Sequence, residues 1–340
     1  MAIEKSLYAY SPSHVLPIVF AALVGASLVV HILQNYRYRY WRITFFMFWG
    51  GAVFTTGWIV RCISTYHPGQ LGLFIAQAVC IYGGPPIYSA AEYNILGRLM
   101  HYLPMHAPLN PSRVLYFFLY LGIVVEAVTA AGAARLAAAR DDISLYQSGA
   151  VLISVGLVLQ AVIECLFMGM VAWLHRRCVL SGMLAPNVRT ICIMLYGTST
   201  LILLRCVYRA IEAFSTIASP TSCLGLCRAI LWHEWYVFAF EAAPMVLYTY
   251  WLNIIHPGRF LPRQSTRYLD PDGRTERDGP GWIESRATWW TFFDPFDLRG
   301  RAKGQLHHEA FWLQPEKWLV CSDTSYAQRS FAKSRPAWLP

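Results

Sequence analysis

Within the apolar stretch Leu201 to Phe214, LILLRCVYRAIEAF, stand Arg205, Arg209 and Glu212. At helical pitch the spacing i, i+4, i+7 puts all three on one face. A charged side chain at mid-bilayer costs on the order of 2.5–3.5 kcal/mol on insertion scales, so three on one face need a polar lining or each other. Two guanidiniums and a carboxylate in that setting suit a charged or hydroxylated head group. Acidic and amide groups recur in other apolar stretches, as Glu92 and Asn94, Glu126, Gln160 and Glu164, and Glu241. Each taken alone also reads as an interhelical hydrogen bond in a packed bundle.

The elements that position these groups are membrane helices. With 56% hydrophobic, 15% aromatic and 14% charged residues in 340, the chain is too apolar for an ordinary soluble domain. A helix needs ~20 apolar residues to cross the hydrocarbon core. Seven segments meet that length: His14–Leu33, Ile43–Arg61, Leu71–Leu96, Val114–Ala134, Gly149–Leu174, Ile191–Phe214 and Trp235–Ile255. The expected fold class is therefore an all-α membrane protein, a seven-transmembrane-helix bundle over residues 14–258. Residues 1–13 form a short outer amino terminus, and residues 259–340 a tail. That tail is rich in Pro, Gly, Asp and Arg, as in LDPDGRTERDGPG, and reads as mostly disordered. Its aromatic run WWTFFDPF, Trp289 to Phe296, suits the headgroup region of a membrane.

Arginine placement sets the orientation. Arg37, Arg39 and Arg42, then Arg98 and Arg113, then Arg176, Arg177 and Arg189, and the tail's Arg259, Arg263 and Arg267 fall on one side. By the positive-inside rule that side is cytoplasmic, the carboxyl terminus with it, and the amino terminus is outside. Arg205, Arg209, Glu212, Glu241 and Glu126 then lie in the outer half, and Glu92 and Glu164 nearer the cytoplasm. Gly83, Gly84, Pro85 and Pro86 in the middle of the third segment predict a kink or break, a device transporters use at substrate sites. Cys62, Cys223 and Cys227 face the oxidising side, and one disulfide among them is expected, its pairing open.

Several chemistries are excluded. The lysines are Lys5, Lys303, Lys317 and Lys333, none inside a span, so a retinal Schiff base has no partner. No phosphate-cradling G-x-x-x-x-G-K-[ST] run exists, and the nine cysteines include no CxxC pair. No cofactor and no metal are implied. The net charge of +9 comes without a nucleic-acid-binding motif and serves membrane orientation. Catalysis is not expected; membrane lipids and an amphiphilic small molecule are the expected partners.

The third and the fifth to seventh segments together resemble the fungal RTA-like proteins, the lipid-translocating exporter family associated with aminocholesterol resistance. The third has Pro85 or Pro86, Ala90, Tyr93 and Arg98; the fifth Gly149, Gly156, Leu157 and Gln160; the sixth Arg205, Tyr208, Arg209 and Glu212. The seventh contributes Glu234, Trp235, Pro244, Met245, His256, Pro257 and Gly258. The chain departs from the pattern at Glu241, where aspartate is usual, and at Thr129 to Gly132, where glutamine is usual; both bear on head-group preference. The resemblance implies a seven-span plasma-membrane protein that exports or flips amphiphiles such as sphingoid long-chain bases and confers tolerance to toxic ones. A seven-helix receptor or stress sensor is the alternative, though the segment ends NILGRLM and LNIIHPG lack receptor activation motifs.

Overall fold

The structure, a computed structural model, describes residues 6–107, 110–139, 142–217, 225–282, 290–294, 298–303, 310–321 and 326. Six long helices come first: α1 (Leu16–Tyr38), α2 (Trp41–Tyr66), α3 (Leu71–Tyr102), α4 (Pro111–Ala138), α5 (Ile143–Leu180) and α6 (Pro186–Ile217). Each is long and apolar enough to cross a membrane. Their starts follow from local chemistry. Asn110 accepts the Ser112 N–H with Pro111 at the first helical position, and Asp142 accepts from the N–H groups of Ser144 and Leu145.

A short α7 (Leu226–Trp232) leads to a seventh helical segment made of α8 (Trp235–Val237), a π-helical turn over Phe238–Ala242, and α9 (Ala243–Ile254). In the turn the Ala243 N–H bonds the Phe238 carbonyl five residues back. Pro244 follows, with no N–H to continue the ladder.

Each long helix packs on the next, and α9 closes the ring against α6 and α1. α3 also touches α5 and α6, which places it toward the centre. The interior carries Trp58, Phe54, Tyr88, Phe167 and Tyr248, all fully buried. Ile18, Leu33, Ile123, Leu166 and Leu247 point outward. An apolar exterior around an interior that also holds polar groups is the arrangement hydrocarbon solvent favours. At the α4–α5 crossing, a Cβ at Gly132 or at Gly149 would meet the other's carbonyl oxygen at 2.8 Å, so only glycine allows this approach.

Two expectations are corrected and one is narrowed. α3 is not broken at Gly83, Gly84, Pro85 and Pro86; it runs as one helix through both prolines. Pro86 cannot bond the carbonyl of Tyr82 four residues back, and the Arg205 guanidinium takes that oxygen instead, at 3.5 Å. A Cβ at Gly84 would come within 2.9 Å of the Phe54 side chain, so this glycine serves helix packing.

Cys62 carries a free thiol, while Cys227 is disulfide-bonded. The expected disulfide among the three thus involves Cys227 and leaves out Cys62; Cys223 lies outside the described residues.

The tail is not mostly disordered over its described part. Strands β1 (Arg267–Leu269), β2 (Glu276–Asp278) and β3 (Leu319–Val320) form an antiparallel sheet in the order β1-β2-β3. Glu276, buried, accepts from Arg267 Nε at 2.5 Å and from the Tyr102 hydroxyl at the end of α3 at 2.8 Å. A stretch too polar to form its own core is thus ordered against the bundle. Within the aromatic run, Trp290–Phe293 forms a short helix, α10, packed on α4; Trp289, Pro295 and Phe296 lie outside the described residues.

Candidate functional site

The one-face array on α6 meets α3 and the π-helical turn. Arg205 Nε donates to Glu241 Oε1 at 2.8 Å, and Arg209 Nε donates to Glu241 Oε2 at 2.7 Å. One carboxylate thus ties two arginines a helical turn apart. Glu241 is fully buried, and Arg205 and Arg209 are 1% and 5% exposed. Arg209 Nη1 also donates to Glu212 and, at 3.2 Å, to the Tyr82 hydroxyl. Its guanidinium sits 4.3 Å from the Tyr82 ring centroid. Two positive and two negative side chains balance, and the hydrogen bonds offset the cost of withdrawing them from water. Arg205 Nη1 is left buried without a partner.

Arg205 also lines a cavity. A space of about 200 Å³ lies among α3, α4, α5 and α6, lined by Arg205, Arg209, Glu212, Glu126 and Gln160. Glu126 is half-buried and makes no hydrogen bond or ion pair among the described residues. Arg205 acts on it through space. The side-chain nitrogen of Gln160, buried, also lacks a partner.

Pro86, Glu126 and Gln160 line a second space too, of about 440 Å³, whose other walls are mainly apolar: Phe46, Ile87, Leu119, Ile123 and Ile163. A Cβ at Gly83 or Gly122 on its wall would meet nothing within 4 Å, and Ile123 is 64% exposed, so this slot opens outward between α3 and α4.

On the other side of Tyr82, Arg209 and Glu212 lies a vestibule of about 770 Å³. Residues Leu7 to Tyr10 form part of its wall. The Tyr8 hydroxyl donates to Ser64 at 2.8 Å and accepts from Gln77 at 2.8 Å, which holds the amino-terminal segment down.

Of the residues singled out from the sequence, Arg205, Arg209, Glu212 and Glu241 form one network, with Glu126 and Gln160 on its cavity. Glu234 stands apart: it pairs with Arg61 at 2.8 Å and accepts from the Ser13 N–H at 2.7 Å. Glu92 and Glu164 form a separate buried pair. Glu92 accepts from the Ser199 hydroxyl at 2.8 Å, and both Glu164 oxygens lack a hydrogen-bond partner. The two carboxyl groups act on each other electrostatically.

Tyr82 and Arg61 were missed as site residues. A signal for Tyr82 existed, since it lies four residues before Pro86, where proline frees a carbonyl. Arg61 had none beyond its place at a segment end.

The family model described as RTA1 like protein matches residues 47–264. The chain is 36% identical over 292 residues to the lipid-translocating exporter-like protein RTA1 of Leptosphaeria maculans, covering 82% of this chain and 56% of that protein. It is 29% identical over 266 residues to the protein of the same name from Ajellomyces capsulatus, 74% of this chain and 80% of that one. Over 292 residues it is 24% identical to the sphingoid long-chain base transporter RSB1 of Saccharomyces cerevisiae, 75% of this chain and 76% of that protein. This chain thus spans little more than half the length of the first of these relatives. No solved structure matches it. Family match and identity together place the chain in the RTA1-like protein family.

Proposed function

We propose that this protein is a transporter that moves single-chain amphiphiles bearing an ammonium and hydroxyl groups across the membrane, sphingoid long-chain bases being the substrate class. In this reading Trp235–Ile254 is a seventh span, the amino terminus and the vestibule lie outside, the tail is cytoplasmic, and the membrane is the plasma membrane. The relatives' names support lipid transport as the activity.

The observation that carries the substrate class is the set of unpartnered groups on residues that line the cavity, of which Glu126 and Gln160 also line the apolar slot. Glu126 offers a carboxylate to a cation, while Arg205 Nη1 and the Gln160 amide nitrogen offer donors to hydroxyl oxygens. A phosphorylated head group would face repulsion from Glu126 and Glu212. The slot is in the ~300–1,000 Å³ range of small-molecule sites and takes the hydrocarbon tail. Tyr82, Arg209 and Glu212 then close the way to the vestibule, and their movement would release the head group outward.

The test uses the purified chain in liposomes with a labelled long-chain base, reading its passage between leaflets. The parent should move the base faster than protein-free liposomes, and Glu126→Gln should slow it about tenfold, the loss of one charge-assisted contact. Movement no faster than in protein-free liposomes rejects the transport reading. A folded Glu126→Gln protein as fast as the parent rejects the head-group site alone.

A further inference from the structure

At the end of the bundle away from the vestibule, a pocket of about 740 Å³ lies between the α1–α2 turn, α3, the start of α4 and the beginning of the tail. Arg39, Arg42, Arg98, Arg263 and Arg267 line it, with His101. No aspartate or glutamate is among its lining residues. Arg267 gives its Nε to Glu276, yet its Nη2 is buried without a partner, on a side chain only a tenth exposed. Arg98 Nε and His101 Nδ1 are likewise buried and unpartnered.

Of these arginines only Arg267 has a carboxylate partner among the described residues, so the gathered like charges repel, and buried donors left without acceptors are costly. The same arrangement becomes favourable around an anion with several oxygens. Guanidinium groups arriving from three parts of the chain, the α1–α2 turn, α3 and the tail, match the three free oxygens of a phosphate monoester better than the two of a carboxylate. On the topology proposed above this end faces the cytoplasm, where anionic head groups settle in basic pockets between membrane helices.

We propose that this pocket binds a phosphate monoester, seated among Arg98, Arg267 and His101 and bounded by Arg39, Arg42 and Arg263. The phosphate is carried either by a lipid head group or by a small soluble molecule. The site is separate from the Arg205–Glu241 network and does not depend on the transport reading.

The experiment titrates the full chain, in nanodiscs of phosphatidylcholine, with dioctanoyl phosphatidic acid, dioctanoyl phosphatidylcholine and inorganic phosphate, reading binding by calorimetry. Phosphatidic acid should bind, more weakly as salt rises, and dioctanoyl phosphatidylcholine should not. Arg98→Gln should weaken binding about tenfold, whereas Arg135→Gln at the other end of α4 should leave it unchanged. Phosphatidic acid binding without inorganic phosphate binding identifies a lipid source, and equal binding of both identifies a soluble one. Arg42→Gln changes an exposed side chain, so it serves as well should Arg98→Gln fail to fold. The proposal is overturned if phosphatidic acid and inorganic phosphate bind no better than phosphatidylcholine, or if the folded arginine variants bind as the parent does.

Discussion

Two buried carboxylates in the bundle carry opposite consequences for substitution. Glu241 is shared by two arginines, of which Arg205 has no other carboxylate partner among the described residues, so Glu241→Gln leaves guanidiniums facing an amide that also donates. Breaking a buried pair in this way costs about 3–5 kcal/mol, and the variant should melt well below the parent in detergent. Glu164 has no cation to lose and stands beside Glu92. Glu164→Gln removes like-charge repulsion at constant shape, and its melting temperature should equal or exceed the parent's. If the two variants melt alike, the assignment of partners is wrong. The charges on α6 were legible as a one-face array because their spacing is local. Their shared partner was not, because Glu241 lies in the π-helical turn of another helix, 36 and 32 residues from Arg205 and Arg209.

Among the helices, glycines that look equivalent in the chain differ in what surrounds them. Gly132→Ala places a methyl against the Gly149 carbonyl and the Ile153 backbone, and should cost about 1–3 kcal/mol by forcing α4 from α5. Gly83→Ala meets open space and gains helix propensity of up to about 1 kcal/mol. Thermal melting of the two proteins in one detergent checks the contrast, and a destabilised Gly83→Ala would refute the open face between α3 and α4. The prolines teach the same lesson. Pro85 and Pro86 remove backbone donors wherever they occur, but whether the helix breaks depends on a donor from elsewhere. Here Arg205, from α6, supplies one to the Tyr82 carbonyl.

For the whole molecule, Glu276 joins the tail to the bundle through Tyr102, and within the tail accepts from Arg267 and from the Tyr326 N–H at 2.6 Å. Glu276→Ala should release the β1–β2–β3 sheet from the end of α3 and speed tryptic cleavage at Arg267 and Arg277. Cleavage at the parent rate would show that the sheet docks without it. The amino-acid sequence by itself determined the long apolar helices and the polar groups inside them, because hydropathy and helical spacing act over neighbouring residues. It also held the family pattern. Only the tertiary structure decided that Arg205 and Arg209 share Glu241, that α3 stays whole and that Cys62 stays free. It alone decided that the described part of a polar tail folds against the bundle and that two cavities share Tyr82, Arg209 and Glu212 in their walls. Each of these joins groups dozens to hundreds of residues apart, and such contacts are set by how helices rotate and pack, which no local pattern encodes.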